Sequence, residues 1–245
     1  MTVIPDFKDI LNARSFTSEG FSFNVLGMTR YGKTTGFQKL ILDIYVRAGI
    51  PIVIFDLSRE KAWESWGRIA TSLNDIVDCI KQRGIIRYSP HVNIDEKMLR
   101  DSDLLEAQQR TFNSFAKRIW EFQNRFPGQH NFLPVHVVVE EAHNIAPVSS
   151  MPLWLRKFAT EGLKRGISLT SIAQRGATLN NTLKTQSQFK IYFYQQGPDL
   201  EYLIKNHTIS REDAELIAGL KKYEYVVSSQ FIEGGRFIKY PPLKI

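Results

Sequence analysis

An α/β fold, a mainly parallel sheet flanked by helices and closed by a C-terminal β-hairpin, is the architecture this sequence predicts, and three observations predict it. Short β-branched runs alternate with longer helical patterns from about Phe21 to about Gln195, the signature of strands joined by crossover helices. The most apolar runs, Ile50 to Leu57 and Val135 to Val139, have the length of strands rather than of helices. From Tyr223 to Ile238 the pattern turns antiparallel, with Glu233-Gly-Gly235 as a hairpin turn.

The elements follow in order. Phe21 to Leu26 reads as the first strand, and a helix begins near Lys33 with Phe37, Leu40, Ile41, Ile44 and Tyr45 at apolar spacing. Pro51 to Asp56 is a second strand, buried on both faces by its composition. Between Asp95 and Phe126 a long polar helix carries a stripe of Leu104, Leu105, Phe112, Phe115, Ile119 and Phe122, with Arg110, Lys117, Arg118 and Arg125 at other positions. Pro127-Gly128 ends it. Strands follow at Val135 to Glu140, Ile167 to Ala173 and Phe189 to Tyr194, with a helix from about Leu153 to Lys164. No repeat or linker divides the chain, so a single domain is expected, with a core over about 21–195 and a helix-and-hairpin extension over about 196–245.

Composition excludes several classes. With 245 residues, 43 % hydrophobic, 12 % aromatic and 23 % charged, the chain is neither disordered nor collagen-like. Cys79 is the single cysteine, so there is no internal disulfide and no cysteine-based metal site, which fits a reducing, cytoplasmic setting. No apolar run approaches the roughly 20 residues that span a bilayer, and a soluble protein without a transmembrane segment is expected. The formal charge of +7 permits a polyanionic partner without requiring one.

The motif that carries chemistry is Gly27-Met28-Thr29-Arg30-Tyr31-Gly32-Lys33-Thr34, followed by Thr35. It matches the phosphate-binding loop at every fixed position, directly after a strand and opening a helix. Glycines let the backbone curl around phosphates with its N–H groups inward, and the positive end of the helix lies behind them. Lys33 would reach the β and γ phosphates of ATP, and the Thr34 hydroxyl would ligate Mg²⁺. A second half of such a site is an acid ending another buried strand, and Glu140 and Glu141 supply two. Glu140 is placed on Mg²⁺, and Glu141 as the base that polarises the attacking water. Gln174, ending the strand Ile167 to Ala173, is placed as a γ-phosphate sensor, against the plainer reading of a strand-terminating residue. Lys164 and Arg165 precede that strand, where Arg165 could reach a neighbouring subunit's nucleotide or simply complement a helix dipole.

Of the five histidines only His143 sits beside one of these acids, and a supporting contact to Glu141 fits better there than zinc. Trp63, Trp66, Trp120 and Trp154 fall on expected helices, where core packing outweighs a DNA-facing role for the first two.

The loop Gly27 to Thr34, the Glu140-Glu141-Ala-His143 strand end, Gly162-Leu-Lys-Arg-Gly166 and Ala173-Gln174-Arg175 together resemble the HerA/FtsK superfamily of P-loop ATPases. Asp199 to Leu203 and Leu220 to Val227 resemble that group's helix and closing hairpin, so the similarity spans nearly everything after Phe21. The short chain is similar to small motors that package viral DNA. The resemblance implies a RecA-like core, a hexameric ring that pumps double-stranded DNA with ATP and Mg²⁺, and a setting that is cytoplasmic or associated with a virion, at a capsid or membrane vertex. Protein secretion, pilus or phage assembly, or a slow nucleotide-gated switch would keep the same site. Two departures stand out: Glu140 occupies a position usually held by Asp, and Leu163 one usually held by Arg, which leaves Arg165, Arg156 or Arg175 for the inter-subunit arginine. For DNA, the loops between Ser58 and Arg68 and the helix positions Arg110, Lys117 and Arg118 are the expected surface, the latter explained equally by a solvated face.

Overall fold

The computed structural model describes residues 20–59, 61–90, 101–126, 132–206, 208–232 and 237–243. Within them β1 (Phe23–Leu26) leads through the phosphate loop into α1 (Lys33–Phe37), which passes through a π turn (Gln38–Leu42) into α2 (Asp43–Arg47). Then come β2 (Ile52–Phe55), a 3₁₀ turn (Lys61–Trp63), β3 (Arg68–Ile69), α3 (Leu73–Lys81), β4 (Ile85–Tyr88) and α4 (Asp101–Gln123). β5 (Val135–Val139), α5 (Leu153–Glu161), β6 (Ile167–Ala173), α6 (Asn181–Gln186) and β7 (Phe189–Tyr192) follow. α7 (Gly197–Lys205), α8 (Arg211–Ala218), β8 (Tyr225–Ser229) and β9 (Ile238–Tyr240) complete the order.

The strands form one nine-stranded sheet in the order β3-β4-β2-β5-β6-β1-β7-β8-β9, parallel from β3 to β7 and antiparallel at β8 and β9. The α/β architecture expected from the sequence is the one observed. β6 is inserted between β1 and β5, so the loop after β1 and the acids after β5 face each other across the end of β6. One face is covered by the α1–α2 helix through Phe37, Leu40, Ile41, Ile44 and Tyr45, which pack with Phe23, Val25, Ile52 and Ile54. The other is covered by α3, α4 and α5 through Ile76, Ile80, Phe112, Phe115 and Phe158 against Val53, Phe55, Val137 and Val139. Apolar side chains on both pleats explain why these strands read as continuous runs.

Several features differ from the expectation. The edge formed by β3, α3 and β4 was not read from the sequence, because β3 is two exposed residues and β4 carries Arg87 in its middle. A cue does exist: Ser72 and Asp75 form a reciprocal capping box that starts α3. Trp63 lies in a single 3₁₀ turn and Trp66 outside any helix, while Trp120 and Trp154 lie on α4 and α5 as expected. The Glu233–Gly235 turn, the first residues of the long helix from Asp95, and His91, His130 and His207 fall outside the described residues. Among the described residues no helix is long and apolar enough to cross a membrane.

Candidate nucleotide-binding site

Gly32 has φ 97°, in the left-handed region that favours glycine, and its neighbour Tyr223 leaves no room for a side chain. The loop is held by its own backbone: Gly27 N–H donates to Ala173 O at 3.3 Å, and Met28 N–H to Tyr194 O at 2.8 Å. Tyr31 stacks on Tyr194 with ring centroids 4.4 Å apart, and its carbonyl accepts from Tyr223 N–H at 3.2 Å. Gly27, Met28 and Tyr31 therefore anchor the loop. Thr29, Arg30, Gly32, Lys33, Thr34 and Thr35 line a cavity of about 590 Å³ together with Glu140, Glu141, Lys61, Ala62, Lys222 and Tyr223. That volume suits a nucleotide.

Opposite the loop, both acids are buried. Glu140 accepts from the Trp63 indole at 2.8 Å, and the Thr34 hydroxyl lies 3.4 Å from each of its carboxylate oxygens. Burial pushes the Glu140 carboxyl up to about 8, with the charges of Glu141 and Asp56 acting in the same direction and the Trp63 bond and Lys33 opposing them. Glu141 follows with φ 47° and ψ 47°, a left-handed conformation unusual for this residue type, which sends the two neighbouring carboxylates apart. Its Oε1 accepts from Gln174 Nε2 at 2.7 Å, and its Oε2 lies 3.2 Å from His143 Nδ1. Burial lowers the His143 pKa against the pull of Glu141, with Lys33 adding to the fall.

Buried carboxylates beside a hydroxyl form an oxygen donor set suited to a hard cation. Among the described residues no group of three or more His, Cys, Asp or Glu could hold a metal by themselves. The donors Thr34 and Glu140 suit Mg²⁺, an ion that ordinarily takes one or two protein oxygens and completes its shell with phosphate oxygens and water.

No family model matches the chain. It is 29 % identical over 145 residues to the DNA double-strand break repair helicase HerA of Pyrococcus furiosus, covering 57 % of this chain and 26 % of that one. It is 26 % identical over 168 residues to the HerA of Saccharolobus solfataricus, covering 65 % of this chain and 32 % of that one. The matched stretch thus spans a quarter to a third of those relatives. The chain resembles the HerA/FtsK P-loop ATPases. In fold, this HerA-like chain superposes on the genome packaging NTPase B204 of Sulfolobus turreted icosahedral virus 2 in complex with AMPPCP, with TM-score 0.66, 19 % identity and coverage of 92 % and 99 % of the two chains. The VirB4 structure of Thermoanaerobacter pseudethanolicus matches with TM-score 0.63, 13 % identity and coverage of 91 % and 90 %. The fold is that of a P-loop NTPase.

In this chain the structure brings Lys33, Thr34, Glu140 and Glu141 around one cavity, with Gln174 bonded to Glu141. Arg165 does not join them: it precedes β6, at the opposite end of the strands from the phosphate loop, where it donates to Asn124 Oδ1 at 2.6 Å and lies 4.5 Å above the Trp120 ring. Arg156 is exposed on α5. Arg175 lies at the same end of the strands as the phosphate loop, paired with Asp199 at 3.1 Å and with its side chain 57 % exposed. On the long helix, Arg110 pairs with Glu106, Lys117 lies 3.7 Å from Glu121, and Arg118 donates to Asn74 at 2.7 Å. Trp63, Lys61, Lys222 and Tyr223 were missed as site residues, because only the fold carries these distant segments to the loop.

Proposed function

We propose that this chain is an ATP-hydrolysing motor that translocates double-stranded DNA, working as a homo-oligomeric ring of the genome-packaging kind. The observation that carries the reading is the convergence of Lys33, Thr34, Glu140 and Glu141 on one nucleotide-sized cavity, with Gln174 bonded to Glu141 behind it. The sequence likeness to HerA and the fold likeness to B204 support it.

Lys33 and the inward N–H groups of the loop hold the phosphates and offset charge that develops on them. Glu141 orients the attacking water and takes its proton, while the Gln174 amide holds that carboxylate in place. Mg²⁺, held by Thr34 and Glu140, would supply electrostatic stabilisation of the transferring phosphoryl group. Arg165 is assigned to the neighbouring subunit's nucleotide, with Arg156 and Arg175 as the other cations able to serve there, and an oligomer places one of them beside each site.

The experiment is ATP turnover with and without duplex DNA across salt concentrations, with particle mass measured in a non-hydrolysable nucleotide. Turnover that is stimulated by DNA, lost in Lys33→Ala, and reduced about 10²–10⁴-fold in Glu141→Gln with binding retained is expected. Turnover indifferent to DNA at low salt shifts the reading to protein assembly, and near-normal turnover in Glu141→Gln removes that residue as the base.

A further inference from the structure

Arg87, in the middle of β4, is 8 % exposed, and among the described residues neither its Nε nor its Nη1 has a hydrogen-bond partner. A guanidinium stays charged at any physiological pH, and a charge withdrawn from water without a partner is strongly unfavourable. The same side chain lines a cavity of about 710 Å³, larger than the nucleotide cavity and sharing no lining residue with it.

The cavity lies between β3, β4 and the segment that follows β2. Its polar walls are Arg59, Glu64, Thr71, Arg87, Tyr88 and Ser89. Among the described residues Glu64 is the one carboxylate lining it, against two guanidinium groups, and it makes no ion pair with Arg87 within 4.0 Å. Ser89 and Thr71 already donate their hydroxyl protons, to Asp56 O at 2.6 Å and Asp75 Oδ2 at 2.8 Å. The donor capacity left facing the space is therefore mainly that of Arg87 and Arg59. Arg59 itself has φ 55°, a backbone state uncommon for its type.

We propose that this cavity is a second anion site, which binds a phosphate group through Arg87 and Arg59. A guanidinium fork matches phosphate oxygens in pairs. The cavity has the volume of a small-molecule site and is far larger than a single carboxylate side chain requires. The phosphate can belong to a free monoester or to the backbone of DNA. The proposal is independent of hydrolysis at the first site, but the two are joined in the chain. Arg59 and Glu64 belong to the segment that carries Trp63, and Trp63 holds Glu140.

The phosphate loop would itself take up phosphate, so the test uses Lys33→Ala protein, checked for native circular dichroism. Calorimetric titrations with inorganic phosphate, with AMP and with a short mixed-sequence duplex are compared with the same titrations of Lys33→Ala carrying Arg87→Met. Binding by at least one probe, weakened about 10–100-fold by Arg87→Met, is expected for the loss of a charge-assisted bond. Loss confined to phosphate and AMP assigns a monoester, and loss confined to the duplex assigns a DNA phosphodiester. Arg87→Met should fold about as well as its parent, since among the described residues it removes no hydrogen bond from Nε or Nη1 and no ion pair. If it does not, the exposed Arg59→Gln provides the same comparison, with weakening of about tenfold. No binding by any probe, or binding unchanged in both variants, overturns the proposal.

Discussion

The Trp63 indole donates a hydrogen bond of 2.8 Å to Glu140 Oε2, which joins the segment after β2 to the acid at the end of β5. A second bond fixes the same segment: Gln38, in the π turn, donates to Ala62 O at 2.6 Å. An aspartate at position 140 would be one methylene shorter, so the longer acid and the indole read as a matched pair. Trp63→Phe keeps an aromatic ring in place and deletes the donor. The expected outcome is a Mg²⁺ requirement for nucleotide turnover shifted upward by about 10–100-fold, the range for a bond to a charged group. Glu140→Asp should shift it similarly, and the double variant by less than the two effects combined. A Mg²⁺ titration of turnover checks this, and an unchanged midpoint in Trp63→Phe would mean that the bond serves packing alone.

The parallel core and the phosphate site were legible because their signals are local. The loop from Gly27 to Thr34 is contiguous, and Glu140, Glu141 and Gln174 each end an apolar run that reads as a strand by itself. Trp63 and Tyr223 were not legible, since each reaches the cavity through a turn whose path depends on packing elsewhere. β4 was not legible either, because Arg87, a cation inside a four-residue strand, weakens the apolar pattern that identifies strands.

Gln174 reaches back from β6 to Glu141 Oε1 at 2.7 Å, so its first effect is on the orientation of that carboxylate. Gln174→Ala should lower kcat by about 10–100-fold while leaving nucleotide affinity within a few-fold, the pattern of an interaction that matters in the transition state. Binding of a fluorescent ATP analogue, measured beside turnover, separates the two quantities. A loss of affinity with kcat intact would instead place Gln174 on the bound phosphates in the ground state.

Gly32→Ala introduces two separate penalties. At φ 97° any side chain is strained, and the added Cβ would stand 2.4 Å from Tyr223 Cδ1. Gly49→Ala provides the control, because it bears a left-handed φ of 66° but meets only the end of Arg83 at 3.8 Å. Backbone strain alone costs about 1–3 kcal/mol. Chemical denaturation should therefore show Gly32→Ala less stable than Gly49→Ala, and only the former should lose nucleotide binding. Adding Tyr223→Ala should recover part of the stability of Gly32→Ala. Equal behaviour of the two single variants would mean that the ring moves aside freely.

His136, within β5, is fully buried, with Nε2 2.9 Å from Thr170 Oγ1 and the Tyr45 ring 4.1 Å away. Burial lowers its pKa from 6.5 to about 3, so the folded protein keeps it neutral where the unfolded chain takes up a proton. The neutral histidine's contribution is then complete above pH 6.5 and declines as the pH falls toward 3. The slope over that window approaches 1.4 kcal/mol per pH unit, rising with pH because the unfolded state binds more protons. His136→Gln cannot titrate there and keeps an amide able to bond Thr170. Its stability at neutral pH should be lower, from lost packing against Tyr45 and Phe37. Its dependence on pH between 6 and 4 should be flatter than the parent's by about that slope. Denaturant midpoints across this range decide the matter, since parallel curves would show that His136 accepts its proton without leaving the folded core.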